Sequence, residues 1–225
     1  MDPLAERIIW LTTYNYVRNN PINRFDIDGN VDFGSKERLM EVGLNVVNNP
    51  NLKSRNGITF CNFGVQEIFH AGGDNSLDNM TANQMYDYLN NPKVATAISY
   101  EQAVYYAKQG ITTILAWKNE NGDHGHVAIV APKEMEYSGK FKEEVPFIFN
   151  IGKDNDIMKA SYGFTPLKRP TAFILNKDLQ SFQMRQMILT MYNLLGIDES
   201  KLPANVWKFF HKAKQDKTKV KEEEN

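Results

Sequence analysis

Two stretches of this chain hold residue types that do hydrolytic chemistry. The only cysteine, Cys61, stands in Gly57-Ile58-Thr59-Phe60-Cys61-Asn62-Phe63-Gly64, and His126 opens the apolar run His126-Val127-Ala128-Ile129-Val130 just after a turn-forming Asn121-Gly122. A free thiol, with a pKa of about 8.5, is mostly protonated at neutral pH and needs help to become a nucleophile. An imidazole supplies it: it takes the proton, stabilises the thiolate as an ion pair, and later protonates the leaving amine. The imidazole in turn needs a third group to hold its tautomer and ring plane. Asn150, which ends the apolar run of residues 147–149, is the candidate, and Asp154 is the alternative. Cysteine first and histidine later, meeting in space rather than in sequence, is the arrangement thiol hydrolases need.

Bland readings compete with each of these. A lone cysteine is often a small buried hydrophobe. His124 is an alternative base, but only His126 is anchored by an apolar strand behind it. His124 and His126 with Asp123 form a His-x-His pattern that lacks a third firm metal ligand, so no metal and no cofactor are expected. His70, nine positions beyond Cys61, reads as structural. Gln66 sits too far along the same segment to serve as an oxyanion donor.

The elements that must position these groups are legible from periodicity. Phe60, Phe63, Gly64 and Ile68 have helical spacing, and Gly72-Gly73 is a stop, so a helix is expected to begin at or just before Cys61. Its thiol then lies among unpaired N–H groups at the positive end of the macrodipole, which favour a thiolate and can hold an oxyanion. An earlier amphipathic helix is capped by Ser35, buries Leu39, Val42, Val46 and Val47, and ends at Asn48-Asn49-Pro50. Capping boxes at Thr81-Ala82-Asn83-Gln84 and Ser99-Tyr100-Glu101-Gln102 start two more helices, the second stopping at Gly110. From there the period changes to strands over residues 111–117, 126–131, 145–151 and 171–175, with a charged connection over 133–144. A further helix is expected over 178–195, a weaker one over 199–212 with Trp207, Phe209 and Phe210, and a disordered charged tail to 225. Helices first and an antiparallel sheet after them make the fold class α+β.

Composition narrows the function classes. The 225 residues carry a net charge of −1, which argues against a nucleic-acid binder. No run approaches the ~18 apolar residues of a membrane span, so no membrane partner is expected. The N-terminal Met-Asp-Pro-Leu-Ala-Glu-Arg lacks the pattern of a secretory signal, and one cysteine excludes an internal disulfide. The expected location is the producer's cytoplasm, or export by a specialised secretion system.

The stretches Thr59-Phe60-Cys61-Asn62-Phe63, Met80-Thr81-Ala82-Asn83, Gly125-His126-Val127-Ala128-Ile129-Val130 and Phe149-Asn150-Ile151-Gly152 resemble, in their order, the papain-like superfamily, and within it the CHAP and NlpC-type cell-wall hydrolases. That resemblance implies a helix bearing the nucleophile Cys61 packed on an antiparallel sheet bearing the base His126 and the orienting Asn150. It also implies amide bonds of peptidoglycan peptides as substrate. A second resemblance covers Tyr14-Asn15-Tyr16-Val17-Arg18-Asn19-Asn20-Pro21-Ile22-Asn23-Arg24-Phe25-Asp26-Ile27-Asp28-Gly29, which is similar to the closing motif of the Rhs/YD-repeat core, after which polymorphic toxin domains are attached. It departs at Ile27, where a proline normally stands. The implied organisation is a repeat-core junction over 1–34, a catalytic domain over 35–177, a helical extension over 178–212 and a tail over 213–225, with a cognate immunity protein as a possible partner. Two rival functions use the same residues differently: a thiol protease or deamidase toxin acting on cytosolic proteins, and a non-catalytic binding domain in which Cys61 is merely packed.

Overall fold

Apolar residues at helical spacing in the first half of the chain and near-continuous apolar runs in the second fold into helices laid on an antiparallel sheet. A computed structural model describes residues 33–194 apart from Asp123. The Rhs-like stretch, the helix expected over 199–212 and the charged tail lie outside the described residues. The elements are α1 (Lys36–Val47), α2 (Cys61–Gly72), α3 (Ala82–Leu89), β1 (Ala95–Ile98), α4 (Tyr100–Lys108), β2 (Thr113–Trp117) and β3 (His126–Val130). They are followed by β4 (Glu136–Ser138), β5 (Glu143–Val145), β6 (Phe147–Asn150), β7 (Asp156–Lys159), α5 (Ala160–Gly163), β8 (Thr171–Leu175) and α6 (Asn176–Leu194). The fold is α+β.

The helix signals act as read. Ser35 Oγ accepts the Arg38 N–H at 3.2 Å, and both capping boxes close reciprocally at Thr81 with Gln84 and at Ser99 with Gln102. Helix α2 ends on Gly73, whose φ of 91° is the left-handed conformation that glycine adopts without a Cβ penalty. Phe63 points outward at 51 % exposure, and the buried stripe of α2 is Cys61, Gly64, Val65, Ile68, Phe69 and Gly72.

The main sheet has the order β1-β8-β2-β3-β6-β7, with every pairing antiparallel. Register puts Phe173, Ile114, Ile129 and Phe149 in one cross-strand row. That row meets Tyr86 of α3, edge-on to Phe173, and Gly43 of α1, which lies under the Phe149 ring. The opposite face carries Ile174 and Thr113, which meet Phe182 of α6 and the Ala103 carbonyl of α4. With both faces covered, β2 and β3 are buried almost throughout, which is why they read as unbroken apolar runs.

The strand expected over 145–151 is interrupted at Pro146, which has no N–H for a ladder; β5 ends before it and β6 begins after it. The connection over 133–144 is not plain loop. It contains the two-stranded β4–β5 hairpin. Helix α6 starts at Asn176, two residues ahead of expectation, because Asn176 Oδ1 accepts from Thr96 Oγ1 at 2.8 Å and its Nδ2 donates to the Pro92 carbonyl at 2.9 Å. No helix of the described residues is long and apolar enough to cross a membrane.

Candidate active site

Cys61 is the first residue of α2, and Phe60 before it supplies no side-chain cap. The first-turn N–H groups are therefore free of a capping side chain, and the backbone amides of Val127 in β3, Asn62 and Cys61 act on the thiol in the direction that favours its ionised form. The influence of the Val127 amide sets the start of α2 near the residue that follows His126. Gly64 permits the approach: a Cβ there would stand 2.4 Å from Ile151 Cγ1, so α2 lies directly against the segment leaving β6.

His126 projects from the first residue of β3, and its Nε2 lies 2.9 Å from Asn150 Oδ1 at the end of the neighbouring β6. The Asn150 carboxamide cannot turn over, because its Nδ2 donates to the Asp154 carbonyl at 2.8 Å. An amide oxygen only accepts, so Nε2 must carry the hydrogen and the neutral ring keeps its lone pair on Nδ1. This is the tautomer a thiol donor requires. Phe164 packs on the imidazole with centroids 4.7 Å apart, and at Gly163 a Cβ would come within 2.8 Å of Asn150 Oδ1. The triad candidate Asn150 is thus held from three sides while only 5 % exposed.

Asp154, the alternative orienting residue, contributes its backbone carbonyl to Asn150 rather than its carboxylate to His126. His124 is exposed and precedes β3, so it shares no strand face with His126. His70 pairs with Asp78 at the far end of α2. Gln66 is buried and donates to the carbonyls of Leu77 and Met80 at 3.1 and 3.2 Å, fastening the loop before α3. No cluster that could hold a metal ion occurs among the described residues.

Asn83 has a role that sequence reasoning did not assign. Its Oδ1 accepts the Asn119 N–H at 3.0 Å, and its Nδ2 donates to the carbonyls of Asn119 and Gly122 at 3.2 and 2.8 Å. One side chain on α3 therefore clamps the turn that delivers His126. Gly125 fits only because it has no Cβ, which would meet the Trp117 carbonyl at 2.4 Å and Asn83 Oδ1 at 2.5 Å. The available signal was a carboxamide in the first turn of a capped helix, where the cap leaves it no local partner.

Burial acts against the ion pair expected from sequence. Burial pushes the Cys61 thiol up, outweighing the three amides that lower it, and Cys61 is 6 % exposed. Burial likewise pushes His126 down, opposed by its bond to Asn150 and reinforced by the charge of Lys168. Both shifts have burial as their largest cause, and both favour the uncharged form of the group. Among the described residues no hydrogen bond joins the two groups. The arrangement is an imidazole of fixed tautomer at the start of β3 and a buried thiol at the start of α2.

The chain matches no protein-family model and no curated protein sequence.

Proposed function

We propose that this protein is a cysteine-dependent amide hydrolase of papain-like type, with Cys61 as nucleophile, His126 as base and Asn150 as the orienting residue. The observation that carries the reading is the convergence at one end of β3. The Val127 amide acts on the Cys61 thiol at the start of α2, and the preceding residue, His126, is fixed through Nε2 by Asn150 at 2.9 Å. In the reaction, His126 Nδ1 takes the thiol proton as sulfur attacks the carbonyl carbon. The C–N bond then breaks and the amine leaves with that proton. Water next attacks the thioester, releasing the acid and restoring the thiol. The uncapped N–H groups of Cys61 and Asn62 at the start of α2 stabilise the oxyanion of each tetrahedral intermediate in this reading.

The substrate follows from the likeness to cell-wall hydrolases: an amide bond in peptidoglycan peptides. The Rhs-like stretch sets that activity in a toxin delivered into competitors, with a cognate immunity protein as partner. The test is incubation with purified sacculi and mass spectrometry of released fragments. Release that persists in Cys61→Ala would defeat the proposal. Inert sacculi with a cysteine-dependent mass change in a proteome extract would move the target to cytosolic proteins, as a protease or deamidase.

The low exposure of Cys61 favours a second reading, a binding domain in which the thiol is only packed. A thiol that reacts with alkylating agents only after denaturation would establish it.

A further inference from the structure

The row of residues that flanks His126 contains a cation with no assigned task. Trp117 ends β2 directly across from His126 in the antiparallel register, so the two side chains stand on the same face of the sheet. Over the Trp117 ring, 4.9 Å from its centroid, lies the ammonium of Lys168. Lys168 is exposed, follows the segment whose Phe164 covers the imidazole, and pairs with no carboxylate among the described residues. Its neighbour Arg169, by contrast, is paired with Glu143, and Lys159 with Glu136. An ammonium seated on an indole face is held in place without being neutralised, since the ring quadrupole attracts the charge but does not cancel it. Its field reaches His126, where it is one of the causes that lower the imidazole.

We propose that Lys168, seated on Trp117, is a specificity-determining residue that recognises a carboxylate on the substrate beside the scissile amide. The inference rests on the hydrolase reading and adds to it a substrate class: peptides with a free carboxylate close to the bond cut, in preference to their carboxamide counterparts. A lysine rather than an arginine fits this use, because a compact point charge attracts a carboxylate without the bidentate geometry a guanidinium imposes.

The experiment uses the full chain and two alkylating agents of similar shape and different charge, iodoacetate and neutral iodoacetamide. In both, the Cys61 sulfur displaces iodide as the S–C bond forms, and the thiol proton passes to the base. The rate ratio of iodoacetate to iodoacetamide in the folded protein is compared with that of the denatured chain. A single charge at substrate distance in partly solvated surroundings is expected to raise the ratio about five-fold over the denatured chain. Lys168→Met should abolish that gain, Lys168→Arg should keep most of it, and added salt should shrink it. Because Lys168 is exposed, both variants are expected to fold, which circular dichroism checks. Equal ratios in the natural protein and Lys168→Met, with both reagents still reacting in the folded state, would overturn the role of Lys168 and leave the hydrolase reading standing. A thiol that reacts with neither reagent before denaturation would overturn both.

Discussion

Replacing Asn150 by alanine separates a catalytic arrangement from a merely well-packed one. The carboxamide is 5 % exposed and makes two bonds, accepting from His126 Nε2 at 2.9 Å and donating to the Asp154 carbonyl at 2.8 Å. Alanine leaves both partners without their bond, and a buried polar group so stranded costs about 1–3 kcal/mol. The Asp154 end can recruit water, so the total loss of stability should be about 2–4 kcal/mol, read as a shift of the urea midpoint. The chemical effect is separate. Without Asn150 the imidazole is free to exchange tautomers and rotate, and the productive fraction of the base falls; a loss of about 10- to 100-fold in the alkylation rate of Cys61 at pH 7 corresponds to about 1.4–2.7 kcal/mol. The assay is the second-order rate of iodoacetamide modification, followed by mass spectrometry under conditions where the variant remains folded. A variant that loses stability yet alkylates at the natural rate would refute the reasoning, since Asn150 would then be holding the fold and not the base.

Other predictions address the supports of the site. Gly64→Ala drives a Cβ against Ile151, separates α2 from the end of β6, and should slow Cys61 alkylation while destabilising the fold by about 1–3 kcal/mol, measured on the same protein by both assays. Asn83→Ala releases the turn over residues 119–122 and should reduce hydrolysis through kcat more than KM; protection of the Asn119 amide in hydrogen exchange should fall with it. Because the folded His126 is held below the ordinary imidazole pKa of about 6.5, the unfolded chain binds the extra proton first as pH falls. Stability should therefore decline as pH drops through that value and toward the lower folded one, and unfolding curves of His126→Ala should lack this component. For Cys61 the direction reverses: the folded thiol keeps its proton longer, so stability declines as pH rises past the ordinary thiol pKa, and Cys61→Ser should remove that loss.

The parts of the fold that could be read in advance were those in which local chemistry and burial agree. Ser35, Thr81 and Ser99 act as caps because a hydroxyl oxygen meets the third N–H of a helix whatever surrounds it. The strands β2, β3 and β8 announced themselves because both faces are covered. Strands β1 and β7 did not: each is a four-residue edge strand with a single neighbour, and ATAI and DIMK bury too little to impose a pattern. In α2 helical spacing announced the helix but not its buried side, since Gly64 and Ile68 turn to the core and Phe63 to solvent. At the site, Cys61, His126 and Asn150 were nameable from type and order, and the sequence also pointed to a strand end for each of the last two. The direction of the Cys61 and His126 shifts was not nameable, because it depends on burial outweighing the neighbouring hydrogen-bonding groups. Nor was the part played by Asn83, whose partners lie thirty-six and thirty-nine positions away.

The most direct test of the pairing of Cys61 with His126 is the pH dependence of Cys61 alkylation in the folded protein, compared with His126→Ala. The account predicts that modification proceeds at neutral pH without denaturant, follows an acid limb below the usual imidazole range, and slows by about ten-fold or more when the imidazole is removed. A rate indifferent to His126, or a sulfur that reacts only once the chain is unfolded, would contradict it.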